Sequence, residues 1–468
     1  MTILIRRAEI PGVGVSDLRL DAGSIVEMGP GLGTRGTDEV IEARGGAVIP
    51  GLHDHHLHLR ALAAAADSVP AGPPDTTTPG QLARRLVSAA ATLAPHEWVR
   101  AVGYHRSVAG DLDRWSLDRL LSSHPVRVQH RGGSEWIVNS VGLEALGIGA
   151  DAPPGVERDA DGSPTGRIWR EDAWLATRVA GRPPDFGLIS RQAASHGVTG
   201  FTDATPDQQT ADLETLADLR ASGVINQRLH LMAPQGVGPA PTRLVTRGPV
   251  KVLLDDTTLP TLDQLTARIR AAHDDSRSIA IHCVTRVQGV LSASALAEAG
   301  SRPGDRIEHG SVLAADLLAA LRHLGVTVVT QPGFVLTRGD QYLAEVNPAD
   351  QGDLWRLASL MTAGVGVAGS TDAPFGSPEP WAAIRAAATR RTGAGRVLGP
   401  AEAITASQGL ALFLGRADRP DQPRRVAVGA VADLCVLAEP LEPSLTGDED
   451  PTVLATIVDG TVIHRTAP

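Results

Sequence analysis

Residues 49–59 read Ile-Pro-Gly-Leu-His-Asp-His-His-Leu-His-Leu. An apolar run turns at Pro50-Gly51, and four histidines and an aspartate then fall within six residues. On a strand, side chains alternate faces, so Asp54, His56 and His58 are expected on one face and His53 and His55 on the other. Two imidazoles two residues apart can grip one cation from one side, and neutral imidazole is the commonest nitrogen ligand for zinc and similar metals. A His-x-His pair is unspecific alone. It gains weight here because an apolar strand leads into it, and a barrel strand presents its chemistry at its C-terminal end.

Outward from this stretch, apolar runs alternate with Ala/Leu/Arg-rich helical segments, the pattern of parallel βα units. Candidate strands are Ala47–Asp54, Gly197–Asp203, Arg228–Ala233, Val250–Leu254, Ser278–Val284, Arg306–His309, Thr327–Gln331 and Gly366–Ser370. Eight such units close a (β/α)8 TIM-type barrel, which predicts an α/β fold over residues 49–425. The gap between the first two strands exceeds one βα unit, so about 66–184 is expected to be an inserted subdomain. It has strand-like runs at Trp98 and Val126 and a turn-rich stretch, DAPPGVERDADGSPTG. Residues 1–48 and 426–468 are strand-rich, with a hairpin turn expected at Asp459-Gly460. The economical reading is a small discontinuous β-sandwich built from both termini.

Polar residues recur where these strands end. Strand one carries His56 and His58, strand four Lys251, strand five His282, strand six His309 and strand eight Asp372. Singly, each has an ordinary reading: a core histidine, a lysine reaching the barrel rim, an aspartate capping a turn. Together they would bury several ionisable groups in one layer, which is costly unless they pair or bind a metal.

Composition narrows the partners. Only 3% of residues are aromatic, no basic block stands out, and the formal net charge is −10. These features argue against nucleic acid and against an anionic membrane surface. Cys283 and Cys435 lie far apart in strand-like runs, which fits a reducing cytoplasm better than a disulfide framework. No apolar run is long enough to span a bilayer. The expected partner is a small-molecule substrate, with assembly of identical copies left open.

The ordered segments VIPGLHDHHLHL, EWIVNSVGLEALGI, DADGSPTGRIWRED, HGVTGFTDA, IAIHCV, DRIEHGSVL, QPGF, STDAPFGSPEPWAAIRAAATRRT and GAVADLCVL resemble the amidohydrolase superfamily. Within it they are most similar to the Amidohydro_3 branch, which includes N-substituted formamide deformylases. The resemblance implies a metal-dependent hydrolase of non-peptide C–N bonds (amide, N-acyl, N-formyl or lactam) holding one or two divalent ions, zinc foremost. It implies His56 and His58 as strand-one ligands, Lys251 as a carbamylated bridging lysine, and His282 and His309 on a second metal. Asp372 would be both ligand and proton shuttle. Such a metal acidifies a water and polarises the scissile carbonyl, and a carboxylate can carry the proton to the leaving nitrogen.

Three features depart from the branch: a short segment after Lys251, RGGSEW where relatives often carry Gly-His, and a shorter chain. All three bear on substrate choice. Candidate substrate-binding residues are His130, Trp136, Arg170, Glu171 and Phe334, with Trp169 and Trp174 as further apolar wall. The same barrel and metal would support a deaminase of a heterocycle, and a catalytically silent barrel serving as a scaffold is the reading from another class.

Overall fold

The structure is a computed structural model that describes the chain except residues 1, 37, 150–151, 180–183, 207, 238–241 and 467–468. Asp151, which heads the turn-rich stretch, and residues 180–183 near the insertion's expected end therefore lie outside the described residues. The fold is mixed α/β and divides into two compact units, one of residues 1–59 and 186–468 and one of residues 60–185.

The larger unit contains two parallel sheets. One runs Val245–Arg247, Arg228–Leu231, Val198–Asp203, Leu52–Leu57. The other runs Val250–Val252, Ile279–Cys283, Arg306–His309, Thr327–Thr330, Gly366–Gly369. Period-two alternation divides the faces. Val250, Val252, Ile279, Ile281, Cys283, Ile307 and Val328 pack into one core with Leu265 and Ile269 of the Leu262–Asp274 helix and Leu296 of the Arg286–Ala299 helix. A buried side chain of this size contributes roughly 1.5–3 kcal/mol. Lys251, His282, Arg306 and Glu308 alternate with these apolar residues and so occupy the opposite face. Helix starts are fixed locally: Thr261 and Gln264 form a capping box, and Thr285 accepts from the Gln288 amide.

Two strands differ from the sequence reading. The expected first strand, Ala47–Asp54, splits at Gly51. Val48–Pro50 pairs antiparallel with Leu434–Leu437, whereas Leu52–Leu57 joins the parallel sheet. A Cβ at residue 51 would stand 2.0 Å from the Thr199 side chain, so the crossing between sheets needs glycine there. The expected fourth strand, Val250–Leu254, is shorter, at Val250–Val252, and an unanticipated strand, Val245–Arg247, precedes it across a break at Gly248–Pro249. Val245–Arg247 pairs with Arg228–Leu231, and Val250–Val252 pairs with Ile279–Cys283. Pro249 has no N–H for a ladder. The buried Arg277 guanidinium spans the break, donating to the carbonyls of Ala233, Pro234, Gly248 and Pro249 at 2.7–3.0 Å.

The terminal segments form two four-stranded sheets, Ser24–Gly29, Gly14–Asp21, Thr2–Ile10, Asp38–Glu42 and Thr461–Arg465, Val453–Val458, Leu434–Leu437, Val48–Pro50. Ile3, Ile5, Leu18 and Leu20 share one apolar core with Leu434, Val436 and Ile457. Asp459 and Gly460 both take positive φ, 52° and 75°, as a type I′ hairpin turn requires. The smaller unit holds a six-stranded mixed sheet in which the two expected runs appear as Val99–Tyr104 and Val126–His130, paired in parallel. Both cysteines are buried and free. Among the described residues no helix is long and apolar enough to cross a membrane.

Candidate metal centre

His56 and His58 leave the end of the Leu52–Leu57 strand, and Asp372 follows the Gly366–Gly369 strand. Two backbone bonds join these segments: Asp372 N donates to His56 O at 2.8 Å, and His58 N to Ala373 O at 2.9 Å. Asp372 Oδ1 thereby comes within 3.5 Å of His56 Nε2 and 3.3 Å of His58 Nε2. One ligand atom from each of the three residues lies within 4.8 Å of the others. The His309 ring lies 4.7 Å from that of His56 and 4.5 Å from that of His282, centroid to centroid. His309 Nδ1 is 3.9 Å from Asp372 Oδ2.

This set fits a divalent cation. His56 Nε2, Asp372 Oδ1 and Lys251 Nζ are all buried without a hydrogen-bond partner, an expensive state unless another group completes them. Ligands about 2.0–2.1 Å from a tetrahedral zinc lie about 3.3–3.4 Å apart, close to the spacing found. Burial and the surrounding cations hold His56 and His309 well below the ordinary imidazole range, so both are neutral, as ligands must be. Burial also draws Lys251 down to about 8, against the opposing pull of Glu308 and Asp372.

Two of these residues adopt unusual backbone geometry. Asp372 has φ 54° and His309 φ 68°, a left-handed conformation that Asp and His adopt more readily than most. Each is held there at a cost of order 1 kcal/mol or more. Gly310 N donating to Glu308 O at 2.9 Å and Phe375 N donating to Asp372 O at 2.8 Å close the turns that hold them.

The expected strict alternation fails at this strand. Leu52–Leu57 slips register between Asp54 and Leu57 against Val198–Asp203; this bulge re-aims the side chains beyond it. Asp54 turns instead to the loop before Asp372, accepting from Thr371 N at 3.1 Å, from Thr371 Oγ1 and from His56 N. Burial raises its carboxyl to about 7. His53 bonds Thr202 Oγ1 at 2.9 Å and stacks on His55 at 4.6 Å.

The sequence reading did not find three residues behind the ligands. Glu308 accepts from His56 Nδ1 and is paired with Arg306. Gln331 binds His309 Nδ1 at 2.9 Å. A signal for Glu308 was present: it stands two residues from Arg306 in RIEHG, on one strand face.

Of the candidate substrate residues, Phe334 belongs to the larger unit. Phe334 is buried against Trp355, ring to ring at 5.2 Å, with the Arg338 guanidinium 4.1 Å over its face. His130, Trp136, Arg170 and Glu171 belong to the smaller unit. There Trp136 is buried, its indole N–H bonded to Asp172 at 2.8 Å and its ring flanked by Arg100 and Arg127. His130 Nδ1 accepts from Gly132 N at 3.1 Å, Glu171 accepts from Gly155 N at 3.1 Å, and Arg170 has φ 54°.

Residues 39–464 match the model of the Amidohydrolase family, Amidohydro_3. The chain belongs to this family. It is therefore a metal-dependent hydrolase of C–N bonds other than peptide bonds. It is 26% identical to the N-substituted formamide deformylase of Arthrobacter pascens, over 91% of this chain and 90% of that protein. Among solved structures it resembles an uncharacterized metal-dependent hydrolase from Pyrococcus horikoshii, with TM-score 0.73, 19% identity, and 99% and 100% of the two chains covered. It also resembles N-isopropylammelide isopropylaminohydrolase from Burkholderia multivorans, with TM-score 0.56, 15% identity, and 99% and 98% covered. These two structures speak to the fold.

Proposed function

We propose that this amidohydrolase cleaves an amide-type C–N bond of a small molecule (N-acyl, N-formyl or lactam) with water. The observation that carries the reading is the convergence of His56 Nε2, His58 Nε2 and Asp372 Oδ1, with His56 Nε2 and Asp372 Oδ1 buried and without a hydrogen-bond partner. The 26% identity to a formamide deformylase supports the amide-type bond. The two parallel sheets are read as one (β/α)8 barrel closed by the bonds between residues 56–58 and 372–373. The terminal sheets with their common core are read as a discontinuous β-sandwich.

A divalent ion held by His56, His58 and Asp372, with zinc the first candidate, would acidify a water and polarise the scissile carbonyl. His282 and His309 would hold a second ion, together with Lys251 if its amine is carbamylated. Asp372 also takes the water's proton and returns it to the leaving nitrogen. Its fixed position beside both strand-one histidines orients the carboxylate for that transfer. Phe375, edge-on to His58 at 5.3 Å, gives this side of the site an apolar wall.

The test is a screen of N-substituted formamides, other N-acyl amines, lactams and cyclic ureas with metal-loaded protein. Release of a carboxylic acid and an amine supports the proposal. Release of ammonia from heterocyclic amines, with none of the amides cleaved, would assign the chain to the aminohydrolases instead.

A further inference from the structure

The two buried histidines nearest Asp372 each have a dedicated acceptor on Nδ1, and the acceptors differ in kind. Gln331 Nε2 donates to Ser370 Oγ at 2.9 Å, and Ser370 Oγ donates to Thr330 O at 3.2 Å. This chain turns Gln331 Oε1 toward His309 Nδ1, so that nitrogen must carry the proton. For His56 the acceptor is the fully buried Glu308 carboxylate. Arg306 grips that carboxylate through Nε, and again through Nη2 at 3.1 Å, while Nη2 also donates to His55 O at 2.5 Å. Arg306 therefore anchors Glu308 to the strand that carries His56. Arg306 is always charged and has only donors, so the carboxylate it pairs with through both oxygens stays ionised. An ionised carboxylate only accepts.

We propose that Glu308 is a positioning residue: it fixes His56 as the Nδ1–H tautomer, leaves Nε2 bare toward Asp372, and makes this imidazole a stronger donor to a cation than His309. The inference rests on the reading of His56 as a metal ligand. Such an outer partner fixes the ring and raises ligand basicity, and its loss typically weakens metal binding about 10–100-fold.

Glu308→Gln makes a sharp prediction. Arg306 has only donors, so the new amide must turn its oxygen to Arg306 Nε and its NH2 to His56 Nδ1. That forces the proton onto Nε2, where a metal would bind. Glu308→Asp keeps a charge for Arg306 but withdraws the acceptor by one methylene.

The experiment is 15N NMR of histidine-labelled, metal-free protein, with His56 assigned by its loss in His56→Gln, together with zinc affinity by chelator competition. In the native protein His56 should show a protonated Nδ1 and a bare Nε2. In Glu308→Gln the pattern should invert, and both variants should bind zinc about 10–100-fold more weakly. A native His56 protonated on Nε2 would overturn the proposal, and this measurement stands even if neither variant folds. Folded variants that bind zinc as tightly as native protein would overturn it too. If native protein binds no divalent metal, the metal reading itself fails and this inference falls with it.

Discussion

Asp372 Oδ1 stands 3.3 Å from His58 Nε2, although the two residues belong to strands at opposite ends of the parallel set in sequence. A left-handed backbone at Asp372 and the bond from its amide to His56 O produce that approach. Asp372→Asn keeps the volume and removes the base. Turnover should fall about 10²–10⁴-fold, as loss of a general acid–base does, with the protein still folded. Steady-state kinetics with an amide substrate measure this; activity within a few-fold of native would remove Asp372 from the proton transfer.

Lys251 bears on how many ions the site holds. Its Nζ is buried without a hydrogen-bond partner, and in the proposed two-ion site it would serve as a bridging carbamate. Lys251→Ala should reduce bound metal from two equivalents to one or none. Metal counting on purified protein decides it: two equivalents retained in the variant would contradict the bridging role.

The thiols should be inert in the native state. Burial pushes Cys283 up to about 12, against an opposing bond with Ser292 Oγ, and pushes Cys435 up as well. Thiolate is the reactive form, so at pH 8 a thiol reagent such as DTNB should label neither residue until denaturant is added. Rapid labelling of folded protein would contradict their burial.

Arg277 is a structural test of the break between the Val245–Arg247 and Val250–Val252 strands. Its guanidinium donates to four carbonyls around Gly248–Pro249. Arg277→Met would leave those acceptors unpaired at a cost of roughly 3 kcal/mol or more, since hydrogen bonds to charged groups are worth about 1.5–3 kcal/mol each. A melting temperature lower by several degrees is expected. An unchanged one would show that the break holds without the clamp.

Much of this architecture was legible because it rests on short-range alternation. The runs around Lys251 and His282 alternate apolar and polar residues, and polar groups near the strand ends marked the candidate ligands; His309 is in phase with Ile307, and its left-handed backbone was not legible. Three further features were not legible. The crossing at Gly51 depends on Thr199, and the break at Pro249 on Arg277; both partners are remote in sequence. The bulge between Asp54 and Leu57 depends on pairing with the Val198–Asp203 strand, which no local pattern reports. Glu308 stood in view within RIEHG, but its bond to His56 appears only when strands one and six are brought together. The substrate-facing residues remain the least legible, because loop geometry rather than periodicity sets them.

The most direct test of the central claim is the metal content of protein purified without chelator, measured by inductively coupled plasma mass spectrometry beside His56→Ala and Asp372→Asn. The account predicts one to two equivalents of a divalent ion in the native chain and a clear loss in His56→Ala. A native chain that holds no divalent metal, even after incubation with zinc, manganese, cobalt or nickel, would contradict it.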